Sequence, residues 1–178
     1  MRIILLLMTS TLFLAACTDN PKRSVGTVLD DQTLEFQVIN NIYSDPDFGQ
    51  DDHIKVEVHK GVVLLAGETV SVENRLLATE LAEAMSLTRR VVNDLEVGEP
   101  ANFGDKANNS WLTAKVNSIL LKENALPGND AARIKVVSSK HKVYLMGLVS
   151  HEEGDAVAEI VRNIGGVEKV VKIFDYTD

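Results

Sequence analysis

One short apolar stretch is written twice. Lys142-Val143-Tyr144-Leu145-Met146-Gly147-Leu148-Val149 repeats the pattern of Gly61-Val62-Val63-Leu64-Leu65-Ala66-Gly67, and the match extends outward. Ile54-Lys55-Val56 returns eighty residues later as Ile134-Lys135-Val136, Glu73–Val92 runs parallel to Glu152–Val171, and Leu34, Val38, Ile42 parallel Leu112, Val116, Leu120. Two copies are too few for a solenoid, which needs three or more stacked units. The chain is therefore expected to form two small domains of one fold. In each stretch the alternation predicts a strand with one buried face that ends on its Gly, with Val143 and Leu145 on one side and Tyr144 and Met146 on the other.

Each copy has only about seventy residues, close to the size at which one core is marginal, so the two are expected to lean on each other. Their charges differ. Residues 29–98 hold fourteen acidic and five basic side chains, whereas residues 108–178 hold nine of each. The second copy is the one that an anionic surface would tolerate.

Asp30 or Asp31 is placed to cap a helix carrying Leu34, Val38 and Ile42, which Asp45-Pro46 ends. Ile54–Val58 alternates as a strand, and His59-Lys60-Gly61 turns into a second, Val62–Ala66. Leu77, Leu81 and Met85 recur at helical spacing, and Arg90–Leu95 reads as a closing strand. The order is α-β-β-α-β. After a linker at residues 99–107 it repeats, with a helix at Ser110–Lys122, strands at Arg133–Ser138 and Lys142–Met146, a helix at Glu152–Asn163 and a strand at Val167–Phe174.

Residues 1–16 carry Arg2, an apolar run and then small residues, the pattern of a secretory signal too short to span a bilayer. Leu14-Ala15-Ala16-Cys17 resembles the bacterial lipobox, which implies cleavage before Cys17 and lipidation of its thiol. Cys17 is the single cysteine of the chain, so no internal disulfide competes for it. Resemblance to sorted lipoproteins implies a third acyl chain and, with Thr18 after the Cys, the outer membrane. Residues 17–28 read as a flexible tether.

Catalytic chemistry finds little to build on. His53, His59, His141 and His151 lie apart in turns and strands without zinc spacing and are expected to be solvated. Asp45, Asp47, Asp51 and Asp52 fail the EF-hand pattern and read as an acidic surface loop. Gly165-Gly166 follows a helix rather than opening one, so it is no phosphate loop. No enzyme activity, cofactor, metal or nucleic-acid partner is expected.

The first helix of the second copy is the exception. Leu112, Val116, Ile119 and Leu120 make its core stripe. At about 100° per residue Trp111 lies about 120° from the middle of that stripe and Leu121 about 160°. Between them lie Ala114, Lys115, Ser118 and Lys122. Trp suits a membrane interface, and a Lys beside anionic lipid contributes about 1 kcal/mol. Phe36 and Tyr43 stand off the stripe of the first copy in the same way, so packing between the copies accounts for these residues equally well.

The repeated α-β-β-α-β unit, with its apolar strand carrying Gly and its later Val91-Val92 or Val170-Val171 strand, resembles the BON domain. Ser24-Val25-Gly26-Thr27 with Asp30–Glu35, and Ser110–Val116 with Leu145–Val149, are the most specific pieces. Two such domains behind a lipobox resemble the dual-BON outer-membrane lipoproteins. The resemblance implies an α+β fold with domains at 29–98 and 108–178, each a small mixed three-stranded sheet covered by two helices. It implies binding of anionic phospholipid, phosphatidylglycerol or cardiolipin, through Trp111, Lys115 and Leu121, with Ser118 and Lys122 as weaker members. It further implies a role in outer-membrane integrity at division sites. Asn117 and Glu123 add no positive charge, so Trp111 and Leu121 are expected to carry more of the binding. The alternative is an adaptor that docks a protein partner such as the outer-membrane protein assembly machinery.

Overall fold

The structure, a computed structural model, describes residues 25–123, 125, 126 and 133–178. The signal at residues 1–16, Cys17 and most of the expected tether lie outside these residues.

The first copy comprises α1 (Val25–Ser44), β1 (His53–His59), β2 (Val62–Thr69), α2 (Val72–Glu83) and β3 (Arg90–Val97). The second comprises α3 (Phe103–Lys122), β4 (Ile134–Ser139), β5 (Lys142–Val149), α4 (His151–Arg162) and β6 (Lys169–Tyr176). Each sheet is mixed, in the orders β1-β2-β3 and β4-β5-β6 with the first pair antiparallel and the second parallel. The α+β expectation of two three-stranded sheets, each covered by two helices, holds.

Local chemistry explains the ends. The hairpin turns have positive φ at Lys60 and Gly61 and at Lys140 and His141, the backbone a two-residue connection requires. Asp31 pins the first by accepting the Lys60 and Gly61 N–H groups at 2.8 and 2.9 Å. Ser71 caps α2, and Ser150 with Glu153 forms a capping box on α4.

Two helix starts differ from expectation. α1 begins at Val25, so residues 25–28, expected as tether, are helical. α3 begins at Phe103, inside the expected 99–107 linker, because Asn102 and Asp105 form a capping box that the Gly104 beside them obscures.

The strand pattern also needs correction, because both faces of β2 and β5 are buried. Val63 and Leu65 join Leu34, Val38, Ile42, Ala78 and Ala82 beneath α1 and α2. Val143 and Leu145 join Leu112, Val116, Leu120, Val157 and Val161 beneath α3 and α4. The opposite faces meet each other: Val62, Leu64 and Ala66 pack on Val137, Tyr144, Met146 and Ile173. The two sheets thus stack face to face with helices outside, and each large side chain buried there contributes on the order of 1.5–3 kcal/mol. Nor do the glycines end their strands. Gly67 and Gly147 lie two residues inside, where a Cβ would meet the carbonyl oxygens of His53 and Arg133 on the antiparallel neighbour.

Around this apolar centre the charge difference between the copies becomes a set of ion pairs. Lys135 reaches Glu35 and Glu57, Lys140 reaches Glu68 at 3.3 Å and Glu96 at 3.7 Å, and Lys142 reaches Asp94 at 3.0 Å and Glu96 at 2.7 Å. Arg89 and Arg90 approach Asp175 at 3.1 and 3.7 Å from the opposite direction. Tyr144 donates to Asp94 at 2.8 Å. Burial works against a charged Asp94, yet the hydrogen bonds from Tyr144 and Lys142 outweigh it and hold the carboxyl below the ordinary carboxylate value. Burial, reinforced by that carboxylate, pushes the Tyr144 phenol up.

Candidate functional site

α3 lies along the outside of the second sheet beside α4. Its core stripe, Leu112, Val116 and Leu120, is buried as expected, whereas Ile119 is half-buried on the flank that faces α4. Because the copies meet through their sheets, packing between them does not account for Trp111 and Leu121. Both stand in solvent, 56% and 53% exposed. Phe36 in α1 is likewise exposed, and Tyr43 accepts the Ile54 N–H and donates to the Asp52 carbonyl, which ties it to the edge of β1.

Trp111, Lys115, Ser118 and Lys122 follow one another along the α4 flank, one helical turn apart. The structure brings the first two into contact. The Lys115 ammonium sits 4.7 Å from the centre of the Trp111 ring and donates to the Gly165 carbonyl at 2.7 Å, just beyond the end of α4. Lys115 therefore braces the indole against the exposed C-terminal end of α4, and part of its charge is already answered. Ser118 and Lys122 are exposed on the same flank. Leu121 is turned about 80° around the helix from Trp111, on the outward back.

Between α3 and α4 runs a groove of about 340 Å³, lined by Lys115, Ile119, Glu123, Ile160, Asn163 and Ile164 and closed by Gly165. Sequence reasoning found the α3 side and missed the α4 wall. Ile160 and Ile164, four residues apart, carried the signal, but a lone isoleucine pair at that spacing also fits a core stripe. The groove offers apolar floor, one cation and one carboxylate, which is binding chemistry without a nucleophile.

The other titratable groups serve the fold. His59 is buried, contrary to the expectation of solvation, and His53 pairs with the fully buried Glu68 at 3.0 Å. His141 lies 3.2 Å from the Gly166 carbonyl, and His151 stacks on Tyr176. Asp52, expected in an acidic surface loop, is buried and accepts from Thr69 Oγ1, Val70 N and Gly49 N. Among the described residues no cluster of three His, Cys, Asp or Glu side chains is placed to hold a metal, and no helix is long and apolar enough to cross a membrane.

Comparison with known proteins agrees with this architecture. The pattern of the BON domain matches residues 30–99 and again 108–178. The chain is 33% identical over 164 residues to the outer membrane lipoprotein DolP of Haemophilus influenzae, covering 92% of this chain and 83% of that one. It is 32% identical over 154 residues to the 21 kDa hemolysin of Actinobacillus pleuropneumoniae, covering 86% and 78%. Among solved structures the C-terminal domain of CdsD, a structural protein of the type III secretion system of Chlamydia trachomatis, aligns over 82% of this chain and 98% of that one at 12% identity and a TM-score of 0.33. With both sheets, α2, α4, most of α1 and α3 and nearly every described residue inside the two matched segments, the chain belongs to the BON-domain family, in a two-domain form similar to DolP.

Proposed function

We propose that this chain is an outer-membrane lipoprotein that faces the periplasm and binds anionic phospholipid, phosphatidylglycerol or cardiolipin, through α3 of its second BON domain. In that role it supports outer-membrane integrity, at division sites as the family resemblance implies, and it works by binding rather than by catalysis. Residues 1–16 are removed, Cys17 carries the lipid, and residues 18–24 join it to α1. Seven residues reach at most about 25 Å, so the body stays beside the bilayer and even a weak headgroup contact is sustained by high local concentration.

The observation that carries the reading is the half-exposed Trp111, held upright on an outer helix by Lys115 and followed on the same flank by Ser118 and Lys122. An indole with an apolar face and an N–H suits the headgroup region. Since Lys115 is shared with Gly165 and Glu123 lines the adjoining groove, attraction to negative charge is modest and the apolar pair Trp111 and Leu121 supplies more of the affinity.

The test is a titration of residues 18–178, followed by amide NMR shifts, with phosphatidylglycerol or cardiolipin micelles and then with zwitterionic micelles. Shifts confined to residues 110–123, seen only with anionic lipid and lost in Trp111→Glu, support the reading. No shift with either lipid rejects it in favour of the protein adaptor, for which binding to a periplasmic partner survives Trp111→Glu.

A further inference from the structure

The duplication that produced two folds also produced two grooves, and their chemistry has diverged. The counterpart of the α3–α4 groove lies in the first copy between α1 and the C-terminal end of α2. It encloses about 590 Å³ and is lined by Phe36, Gln37, Asn40, Asn41, Ser44 and Met85, with Ala84 and Ser86 at its end. In the repeat, Gln37 takes the place of Lys115, Asn41 that of Ile119 and Ser44 that of Lys122. The cation and the aliphatic floor have become amides and hydroxyls.

Three observations restrict what such a groove accepts. No charged side chain lines it, although the surrounding copy carries fourteen acids against five bases, so a phosphate or carboxylate would meet a repulsive field and no counter-charge. Its amides supply donors and acceptors together. The Asn41 Nδ2 donates to the Leu81 carbonyl at 3.0 Å, which fixes that side chain, whereas Gln37, Asn40 and Ser44 make no side-chain hydrogen bond within the described residues. An apolar peptide or acyl chain would leave these groups dry and unpaired. Finally, Phe36 stands at the lip, 68% exposed, as a flat apolar ring beside a row of amides. A pyranose presents the complementary surface, a face of C–H groups ringed by hydroxyl and acetamido groups.

We propose that the α1–α2 groove of the first BON domain binds a neutral oligosaccharide, with Phe36 as the stacking platform and Gln37, Asn40, Asn41 and Ser44 as the hydrogen-bonding wall. The site is independent of the lipid reading, since it shares no residue with α3. The open, shallow form of the groove suits a ligand that binds weakly per sugar and gains from a long chain.

The probe is the β-1,4-linked tetramer of N-acetylglucosamine, titrated into residues 18–178 with backbone and side-chain amide NMR detection. Saturable shifts are expected at Gln37, Asn40, Asn41, Ser44 and Ser86, with a dissociation constant in the millimolar range. Phe36→Ala weakens binding about tenfold through loss of the stacked ring. Asn40→Ala, a second exposed position, weakens it without touching the ring. Phe36→Ala keeps the wild-type response to phosphatidylglycerol micelles, so failure here and failure of the lipid reading are told apart. The proposal is overturned by absence of shifts in the wild type, by unchanged binding in Phe36→Ala, or by α1 shifts that appear with micelles and not with sugar.

Discussion

Tyr144→Phe isolates one bond in the seam between the two domains. The ring is 1% exposed and stays, because Phe fills the same space. What is lost is the 2.8 Å hydrogen bond to Asp94 Oδ2, an oxygen that also receives Lys142 at 3.0 Å. A hydrogen bond to a charged group contributes about 1.5–3 kcal/mol. The Asp94 side chain is 31% exposed, so water replaces part of the bond and the loss belongs at the low end, about 1.5 kcal/mol. With a urea dependence of about 2 kcal/mol/M, the unfolding midpoint of residues 18–178 at pH 7 falls by about 0.7 M. The transition stays single because the two cores share the seam. Acid supplies the sign. The Asp94 carboxyl is held below its ordinary value of 3.8, so the stability it brings is present above that value and lost as pH falls through the lower folded one. The difference between Tyr144→Phe and wild type therefore narrows in acid, as pH falls through that lowered value and the acceptor becomes neutral. A midpoint within about 0.15 M of wild type at pH 7, or a gap that widens in acid, would refute the assignment.

Other substitutions test other parts of the molecule. Trp111→Glu abolishes binding to anionic micelles in the NMR titration, while its unfolding free energy in urea stays within about 0.5 kcal/mol of wild type because the residue is exposed. Glu68→Gln removes the charge that faces His53 at 3.0 Å and Lys140 at 3.3 Å but keeps an acceptor for the Ala101 N–H. Chemical denaturation should show a loss of about 2–3 kcal/mol, less than for a pair with both partners buried. Gly67→Ala forces a Cβ onto the His53 carbonyl at a φ of +115°, which costs more than about 3 kcal/mol. Gly49→Ala, with nothing within 4 Å, is near neutral in the same assay.

Residues that repeat were the ones most legible before the structure. Leu34, Val38 and Ile42, with Leu112, Val116 and Leu120, marked the inner face of each first helix, because apolar residues spaced by four over nine positions share one side of a helix longer than a usual strand. Strand parity was legible too, since Val143 and Leu145 do face away from Tyr144 and Met146. What covers the second face was not, because alternation is defined along one chain whereas the cover comes from a strand some eighty residues distant. The unbroken apolar runs Val62–Ala66 and Val143–Met146 were the clue that both faces are dry. The start of α3 was hidden by Phe103-Gly104, although Asn102-x-x-Asp105 announced it. At the candidate site the sequence placed Trp111, Lys115, Ser118, Leu121 and Lys122 on the outside of one helix. It did not show that Lys115 leans on Gly165, since that contact joins residues fifty apart through a backbone carbonyl that any residue type supplies.

The seam also imposes an order on biogenesis. On the proposed export route the chain emerges N terminus first, which leaves an interval in which β3 is complete at Val97 while Tyr176, the last residue of β6, has still to emerge. Throughout it the first domain has a closed helix side and an open sheet side, with Val62, Leu64 and Ala66 bare to water. Its surplus of carboxylates then has a second use. Before the lysines of the later domain arrive, like charge around the bare patch repels another nascent chain in the same state, and once they arrive the same groups become the contacts that close the molecule on itself. A chain truncated after residue 98 would stay in that waiting state, soluble by repulsion and prone to self-association when salt screens the charge.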